Sequence, residues 1–250
     1  MERIIFARTE GLKETLPSFC PGCGHGILMR VVAEVVVEMG LREKTIGIAP
    51  VGCAVTAYDY WNFDVTEAAH GRPPAVATGI KRVLPDRLVF TYQGDGDLAA
   101  IGTAEIIHAA NRGENITTIF VNNAVYGMTR GQMAPTTMLG QKTTTTISGR
   151  DPKIHGYPIR VCELLAVLEG TTYIERIALI DPPSVQKIKR AIRKGFECQL
   201  AEKGFSLIEV LSPCPVNWGL EPIEALNFIK EKMVSTFPPG VIKDNFTKNS

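Results

Sequence analysis

The chain has 250 residues, enough to bury a sizeable core without disulfide staples, and its 45% hydrophobic and 21% charged content are ordinary globular values. A net charge of +1 excludes a nucleic-acid surface built on bulk charge. The start, MERIIFARTEGLK, holds no apolar run of signal-peptide length, and Glu34 breaks the most apolar stretch, residues 31–37, so no membrane segment is read and the default is a soluble, cytoplasmic protein.

In chain order, Cys20 and Cys23 come first, in Cys-Pro-Gly-Cys-Gly-His, a tight turn before an amphipathic helix that begins near Ile27. Cys53 follows a β-branched stretch in Pro-Val-Gly-Cys. His70-Gly71-Arg72 and Pro73-Pro74 open a loop-to-helix junction, with a helix over 76–83. Residues 88–92 read as a buried strand, Gly94-Asp95-Gly96 as its turn, 98–111 as an Ala/Ile-rich buried helix and 116–121 as a second strand. That is one βαβ unit with parallel strands and a right-handed crossover. Within its helix His108 is expected to be a hydrogen-bonded core residue.

After Asn122-Asn123, residues 124–150 form a connection long enough to be functional, ending in a threonine-rich loop over 141–148 whose 143–146 run is expected to be solvated. His155 falls in an exposed-looking loop. A helix over 158–169, a strand over 172–179, a long amphipathic helix over 184–202, a strand over 206–211 and a helix over 222–237 complete the alternation. Lys187, Lys189, Arg190, Arg193 and Lys194 read first as a solvated helix face, and second as a docking surface for an acidic electron carrier. Residues 238–250 read as an arm over a partner or a frayed end. No linker or repeat divides the chain, so residues 1–250 are taken as a single domain.

The chemistry of a βαβ unit lies at the carboxyl ends of its strands. Gly94 and Gly96 let backbone approach a ligand, and the helix start offers free N–H groups to phosphate. Asp95 and Asn123 fall at the same sheet edge; with a backbone carbonyl just beyond, they make a set of hard oxygen ligands that suits Mg2+ bound to a diphosphate. Four of six cysteines, Cys20, Cys23, Cys53 and Cys214 (in Ser-Pro-Cys-Pro), lie in turns at element ends, whereas Cys162 and Cys198 lie in helical patterns as core residues. Spacing alone leaves structural zinc, a redox dithiol and an iron–sulfur cluster all open.

Gly94-Asp95-Gly96 followed by Asn122-Asn123 resembles the diphosphate-binding motif of thiamine diphosphate enzymes. Joined to Cys-Pro-Gly-Cys-Gly-His, Gly-Cys, His-Gly-Arg, Gly-Asp-Gly-Asp, Tyr-Gly-Met-Thr-Arg-Gly-Gln and Ser-Pro-Cys-Pro, it resembles the β subunit of the 2-oxoacid:ferredoxin oxidoreductases from about Phe19 to Trp218. The resemblance implies an α/β fold, a parallel-sheet thiamine diphosphate-binding domain with helices on both faces. It implies Asp95, Asn123 and the carbonyl of Val125 as Mg2+ ligands, and a [4Fe–4S] cluster on Cys20, Cys23, Cys53 and Cys214. Gly52, Cys53, His70, Gly94, Asp95, Gly96, Asp97, Asn123, Val125 and Thr129 would line the cofactor, with His70 at the diphosphate or the reacting centre and Thr129 a further phosphate donor.

By the same resemblance, a 2-oxoacid is decarboxylated oxidatively, electrons leave one at a time through the cluster to ferredoxin, and coenzyme A takes the acyl group. The glutamate that activates the cofactor would come from an α subunit, since no glutamate here stands in a recognisable context, with γ and ferredoxin-like δ subunits completing the enzyme. Ala54-Val55 after the third cysteine, where many members have a small polar residue, leans the substrate toward 2-oxoisovalerate over 2-oxoglutarate. Two rival readings are a non-oxidative thiamine diphosphate-dependent decarboxylase subunit with structural zinc, and a non-catalytic partner-binding module of the same fold.

Overall fold

A computed structural model describes residues 7–247. Residues 1–6 of the start and 248–250 of the expected arm lie outside the described residues. Helix α1 (His25–Glu38) follows the cysteine turn and buries Leu28, Val32, Val35 and Val36. Strand β1 (Thr45–Ala49), a single turn α2 (Ala57–Tyr60) and strand β2 (Asp64–Glu67) come next, from a stretch given no strands in the sequence reading. Helix α3 (Pro73–Val83) starts on its two prolines, which fit a first turn because no N–H is needed there.

Strand β3 (Leu88–Gly94) runs straight into a helix, which begins at Asp95, passes through a π-helical turn (Asp97–Ile101) and continues as α4 (Thr103–Asn111). The Gly94-Asp95-Gly96 segment is therefore a strand-to-helix junction rather than a separate turn. Strand β4 (Thr117–Asn122) lies parallel beside β3, as the βαβ reading requires. The long connection holds a small hairpin of β5 (Val125–Tyr126) and β6 (Gln132–Met133), then α5 (Pro152–His155). Helix α6 (Val161–Ala166), strand β7 (Thr171–Ala178), helix α7 (Pro182–Leu200) and strand β8 (Phe205–Leu211) follow. The end comprises α8 (Pro215–Trp218), α9 (Pro222–Phe228), a π-helical turn (Ile229–Met233), α10 (Val234–Thr236) and β9 (Gly240–Asp244).

The main sheet has the order β2-β1-β3-β4-β8-β7-β9, parallel throughout except for β9. Helices α1 and α7 cover one face, and α3, α4 and α6 the other. The strand period of two divides β3 between them: Phe90 and Tyr92 join the first core, Val89 the second. Truncating a fully buried aromatic such as Phe90 to alanine would cost about 3–5 kcal/mol. From β1 the chain turns outward to β2 and then crosses back to β3, so the sheet order reverses beside β1 and β3. That leaves a crevice at their carboxyl ends, where open parallel sheets bind ligands.

Several expectations need correction. Residues 240–244 of the expected arm are an edge strand paired with β7. His108 is exposed, because α4 buries only the side carrying Ile106, Ala109 and Ala110. The helix over 158–169 shrinks to six residues. In the basic run, Lys189 bonds to Glu34 and Glu38, Arg193 to Glu38 and Lys194 to Asp244, so these three clamp α7 to α1 and β9, while Lys187 and Arg190 stay exposed. Thr146 is buried and shares a hydrogen bond with Thr143, leaving only Thr144 and Thr145 of that run in solvent.

Candidate functional site

The crevice holds a cavity of about 220 Å³. Its walls are Pro50 to Ala54 after β1, His70 before α3, Gly94 to Asp97 after β3, and Asn123 with 125–129 after β4. All the cofactor-lining residues expected from sequence (Gly52, Cys53, His70, Gly94, Asp95, Gly96, Asp97, Asn123, Val125 and Thr129) border this one space. Gly52 has φ of 141°, a conformation that a β-carbon would strain. Gly96 serves a different need: a β-carbon there would stand 2.2 Å from Cε1 of Tyr126, whose ring packs on the junction.

Asp95 is buried, and burial raises its pKa from 3.8 to about 7 against the opposing hydrogen bonds. Gly96 N donates to Oδ1 at 2.9 Å and the Thr136 hydroxyl to Oδ2 at 2.6 Å. Among the described residues, no lysine, arginine or histidine forms an ion pair with it. A buried carboxylate without a counter-charge fits a cation site.

Asn123 lies across the cavity, its Oδ1 accepting from Val125 N at 3.2 Å and its carbonyl from Trp218 Nε1 at 3.1 Å. Asp97 is spent on its neighbours: Oδ1 accepts from Gly71 N at 2.8 Å and from His70 Nδ1 at 2.7 Å, and Oδ2 from Gln93 Nε2 at 2.6 Å. Because a carboxylate only accepts, His70 donates from Nδ1, which leaves Nε2 outside this bond. Thr129 turns its hydroxyl to Gln132 Oε1 at 2.6 Å, so it is not a free donor.

Cys20, Cys23, Cys53 and Cys214 line a second cavity of about 220 Å³. It shares a wall with the first, made of His25, Cys53, Asn123, Gly127 and Met128. Burial pushes the Cys23 thiol up to about 12 and Cys53 to about 11, and raises Cys214; neighbouring thiols add to each shift. Among the described residues, no group of three or more His, Cys, Asp or Glu side chains is arranged to hold a metal ion as it stands.

His25, placed by sequence beside the cysteine turn, stacks on Phe19 and shares a 2.8 Å hydrogen bond from Nδ1 with the Tyr92 hydroxyl. Its burial lowers its pKa to about 4, so the ring in the shared wall is neutral. Cys162 and Cys198 are buried core residues, as expected. Sequence reasoning missed Thr136, Tyr126, Gln93 and Asn217. The last donates Nδ2 to Cys214 Sγ at 3.2 Å and to Gly127 O at 2.9 Å, tying α8 to the shared wall. Two of these had a local signal: Tyr126 opens the Tyr-Gly-Met-Thr-Arg-Gly-Gln motif, and Asn217 lies three residues after Cys214, the N-cap of the same short helix.

Residues 50–210 match the family model described as thiamine pyrophosphate enzyme, C-terminal TPP binding domain. The chain is 49% identical over 240 residues to the ketoisovalerate oxidoreductase subunit VorA of Methanothermobacter marburgensis, covering 96% of this chain and 50% of that one. It is 38% identical over 222 residues to the 2-oxoglutarate synthase subunit KorB of Methanocaldococcus jannaschii, covering 86% of this chain and 78% of the relative. It thus spans about half the length of the ketoisovalerate oxidoreductase subunits it matches. Among solved structures, the 2-oxoglutarate:ferredoxin oxidoreductase from Magnetococcus marinus shares the fold, with a TM-score of 0.78 over 94% of this chain and 84% of that chain at 24% identity.

Proposed function

The chain belongs to the thiamine diphosphate-binding β subunits of the 2-oxoacid:ferredoxin oxidoreductases, and we propose that it holds Mg2+–thiamine diphosphate and a [4Fe–4S] cluster in adjoining cavities for oxidative decarboxylation of a 2-oxoacid. The observation that carries this reading is the shared wall: a carboxylate and amide pair on one side, four thiols on the other.

Asp95, Asn123 and the carbonyl of Val125 are the Mg2+ ligands in this reading, and the unpaired burial of Asp95 supports it. When bound, the cofactor supplies the nucleophilic carbon for the oxoacid carbonyl and a sink for the electrons left when CO2 departs. The protein's own work is positional. The Gly96 junction would admit the diphosphate, Tyr126 packs over that junction, and Asp97 holds His70 through Nδ1, leaving Nε2 as the nitrogen that could exchange a proton with a bound reactant. Cys20, Cys23, Cys53 and Cys214 are the cluster ligands. Four thiols lining one cavity beside the diphosphate site support this assignment.

Ferredoxin takes the electrons and coenzyme A the acyl group. A cavity of about 220 Å³ is smaller than a complete ligand pocket, roughly 300–1,000 Å³, which supports completion by an α subunit, with γ and δ subunits in the full assembly. The substrate in this reading is 2-oxoisovalerate. Among the described residues no lysine or arginine lines the cavity to receive a second carboxylate, Ala54 is buried in its wall, and the closer of the two compared relatives is named for ketoisovalerate.

The test is an anaerobic assay of the assembled enzyme with a panel of oxoacids, following ferredoxin reduction with and without coenzyme A. Fastest reduction with 2-oxoisovalerate, dependent on coenzyme A, supports the reading. Colourless protein with zinc and CO2 release without reduction would replace it with a non-oxidative decarboxylase.

A further inference from the structure

Glu209 lies in the middle of β8 with its side chain 1% exposed, where a carboxylate persists only if its oxygens are met by donors. Arg176 Nε donates to Oε2 at 2.7 Å and the Cys162 thiol donates to the same oxygen at 2.8 Å. Oε1 accepts from Asn122 Nδ2 at 2.7 Å. Arg176, 0% exposed, sends its other nitrogens to Glu163 at 2.7 and 3.0 Å and to the Pro238 carbonyl at 3.1 Å. The buried charges are therefore balanced within the core, and among the described residues the bond that leaves this network toward the cavity is the bond to Asn122.

Asn122 ends β4. Its Oδ1 accepts from Ala124 N at 3.1 Å, and Ala124 has φ of 59°, in the left-handed region that a β-carbon disfavours. This bend aims the residues on either side, Asn123 and Val125, into the cavity wall. An asparagine amide has two orientations that differ only in which end donates. A carboxylate can only accept, so Glu209 compels Nδ2 to face it and Oδ1 to face Ala124 N. The same bond is charge-assisted, stronger and more directional than a neutral one.

We propose that Glu209 is a positioning residue for the Mg2+–diphosphate site, acting through Asn122 to hold the Asn123–Ala124–Val125 bend in its ligating form. This rests on the reading that Asp95, Asn123 and Val125 hold Mg2+–thiamine diphosphate.

The experiment measures the Kd for Mg2+–thiamine diphosphate by calorimetry, beside the thermal midpoint without cofactor, on the full chain with the subunits that copurify with it. The double variant Arg176→Met/Glu209→Leu removes both buried charges together, an exchange that buried ion pairs generally tolerate. It should melt near the wild type yet bind about tenfold more weakly, the effect of one lost charge-assisted hydrogen bond. Asn122→Ala should weaken binding to a similar degree, and adding it to the double variant should weaken it no further, since both act on one link. A purely structural role would lower the midpoint and leave the Kd unchanged. Wild-type affinity in a folded double variant, or in Asn122→Ala if the double variant does not fold, overturns the proposal. Failure of the wild type to bind the cofactor with Mg2+ overturns the metal-site reading, and the inference with it.

Discussion

Thr136 donates its hydroxyl to Oδ2 of Asp95 at 2.6 Å, so the long connection after β4 folds back onto the carboxylate that follows β3. Asp95 has this donor and Gly96 N, but no cationic side chain. Without a bound cation its charge is a cost to the fold, borne at neutral pH by the folded state and not by the unfolded chain. Asp95→Asn should therefore abolish Mg2+–thiamine diphosphate binding in calorimetry while raising the midpoint of the cofactor-free protein. Relief of about 1 kcal/mol would appear as roughly 2–4 °C in a chain of this size. Thr136→Val should keep the fold and weaken binding by about tenfold, the scale of a hydrogen bond to a charged group.

The cysteines separate into two groups by what they line. Serine at Cys20, Cys23, Cys53 or Cys214 should each lower iron and acid-labile sulfide in anaerobically purified protein and bleach its broad visible absorption. Alanine at Cys198, which is fully buried and does not line the cysteine cavity, should leave iron content intact and cost only core packing. Loss of iron with Cys198→Ala, or its retention after any of the four serine changes, would contradict the ligand set.

The clamp between α1 and α7 predicts a pH-dependent stability. Burial alone would raise the Glu34 pKa, but hydrogen bonds and charge from Lys189 and Arg30 outweigh it and lower the pKa below 4.5. A depressed folded pKa contributes stability above the unfolded value, lost as pH falls through the folded one. Glu34→Gln should thus lower the midpoint at pH 7, by an amount worth about 0.2–1 kcal/mol for partly exposed pairs. The gap should close as wild type and variant are melted at pH values falling below the ordinary carboxylate range. A gap that persists in acid would assign the effect to packing instead.

The βαβ unit was legible because β3 and β4 are short apolar or β-branched runs bracketing a helix, and the glycines and asparagines at their ends carry a recognisable chemistry. Strands β2 and β9 were not, because Asp-Val-Thr-Glu and Gly-Val-Ile-Lys-Asp are mixed, half-exposed edge segments whose state is decided by a neighbour's unpaired backbone. The exposure of His108 depended on which side of an Ala/Ile-rich helix met the sheet. The basic run looked solvated because its acidic partners, Glu34 and Glu38, lie about 150 residues away in sequence. Thr136 had no signal at all: it is one threonine among several, 41 residues from the carboxylate it serves.

The lining of the cofactor cavity predicts that the chain does not turn over alone. Among the described residues, its acidic lining is Asp95 and Asp97. The first is committed to the proposed metal, and the second already accepts from His70, Gly71 and Gln93. Among the described residues no glutamate borders the space, and the glutamates near α4 are elsewhere engaged: Glu114 with Arg82 and Arg112, and Glu105 with Arg72. On the proposed reading, the carboxylate that draws the proton from the cofactor ring is supplied by a partner subunit. Purified by itself, this chain should bind Mg2+–thiamine diphosphate more weakly than the assembly does and show no oxoacid-dependent dye reduction. Adding back the partner that carries the glutamate should restore both, and adding that partner with its glutamate changed to glutamine should restore binding alone. Full turnover by the isolated chain would mean that a carboxylate within it, Asp97 being the nearest candidate, activates the cofactor instead.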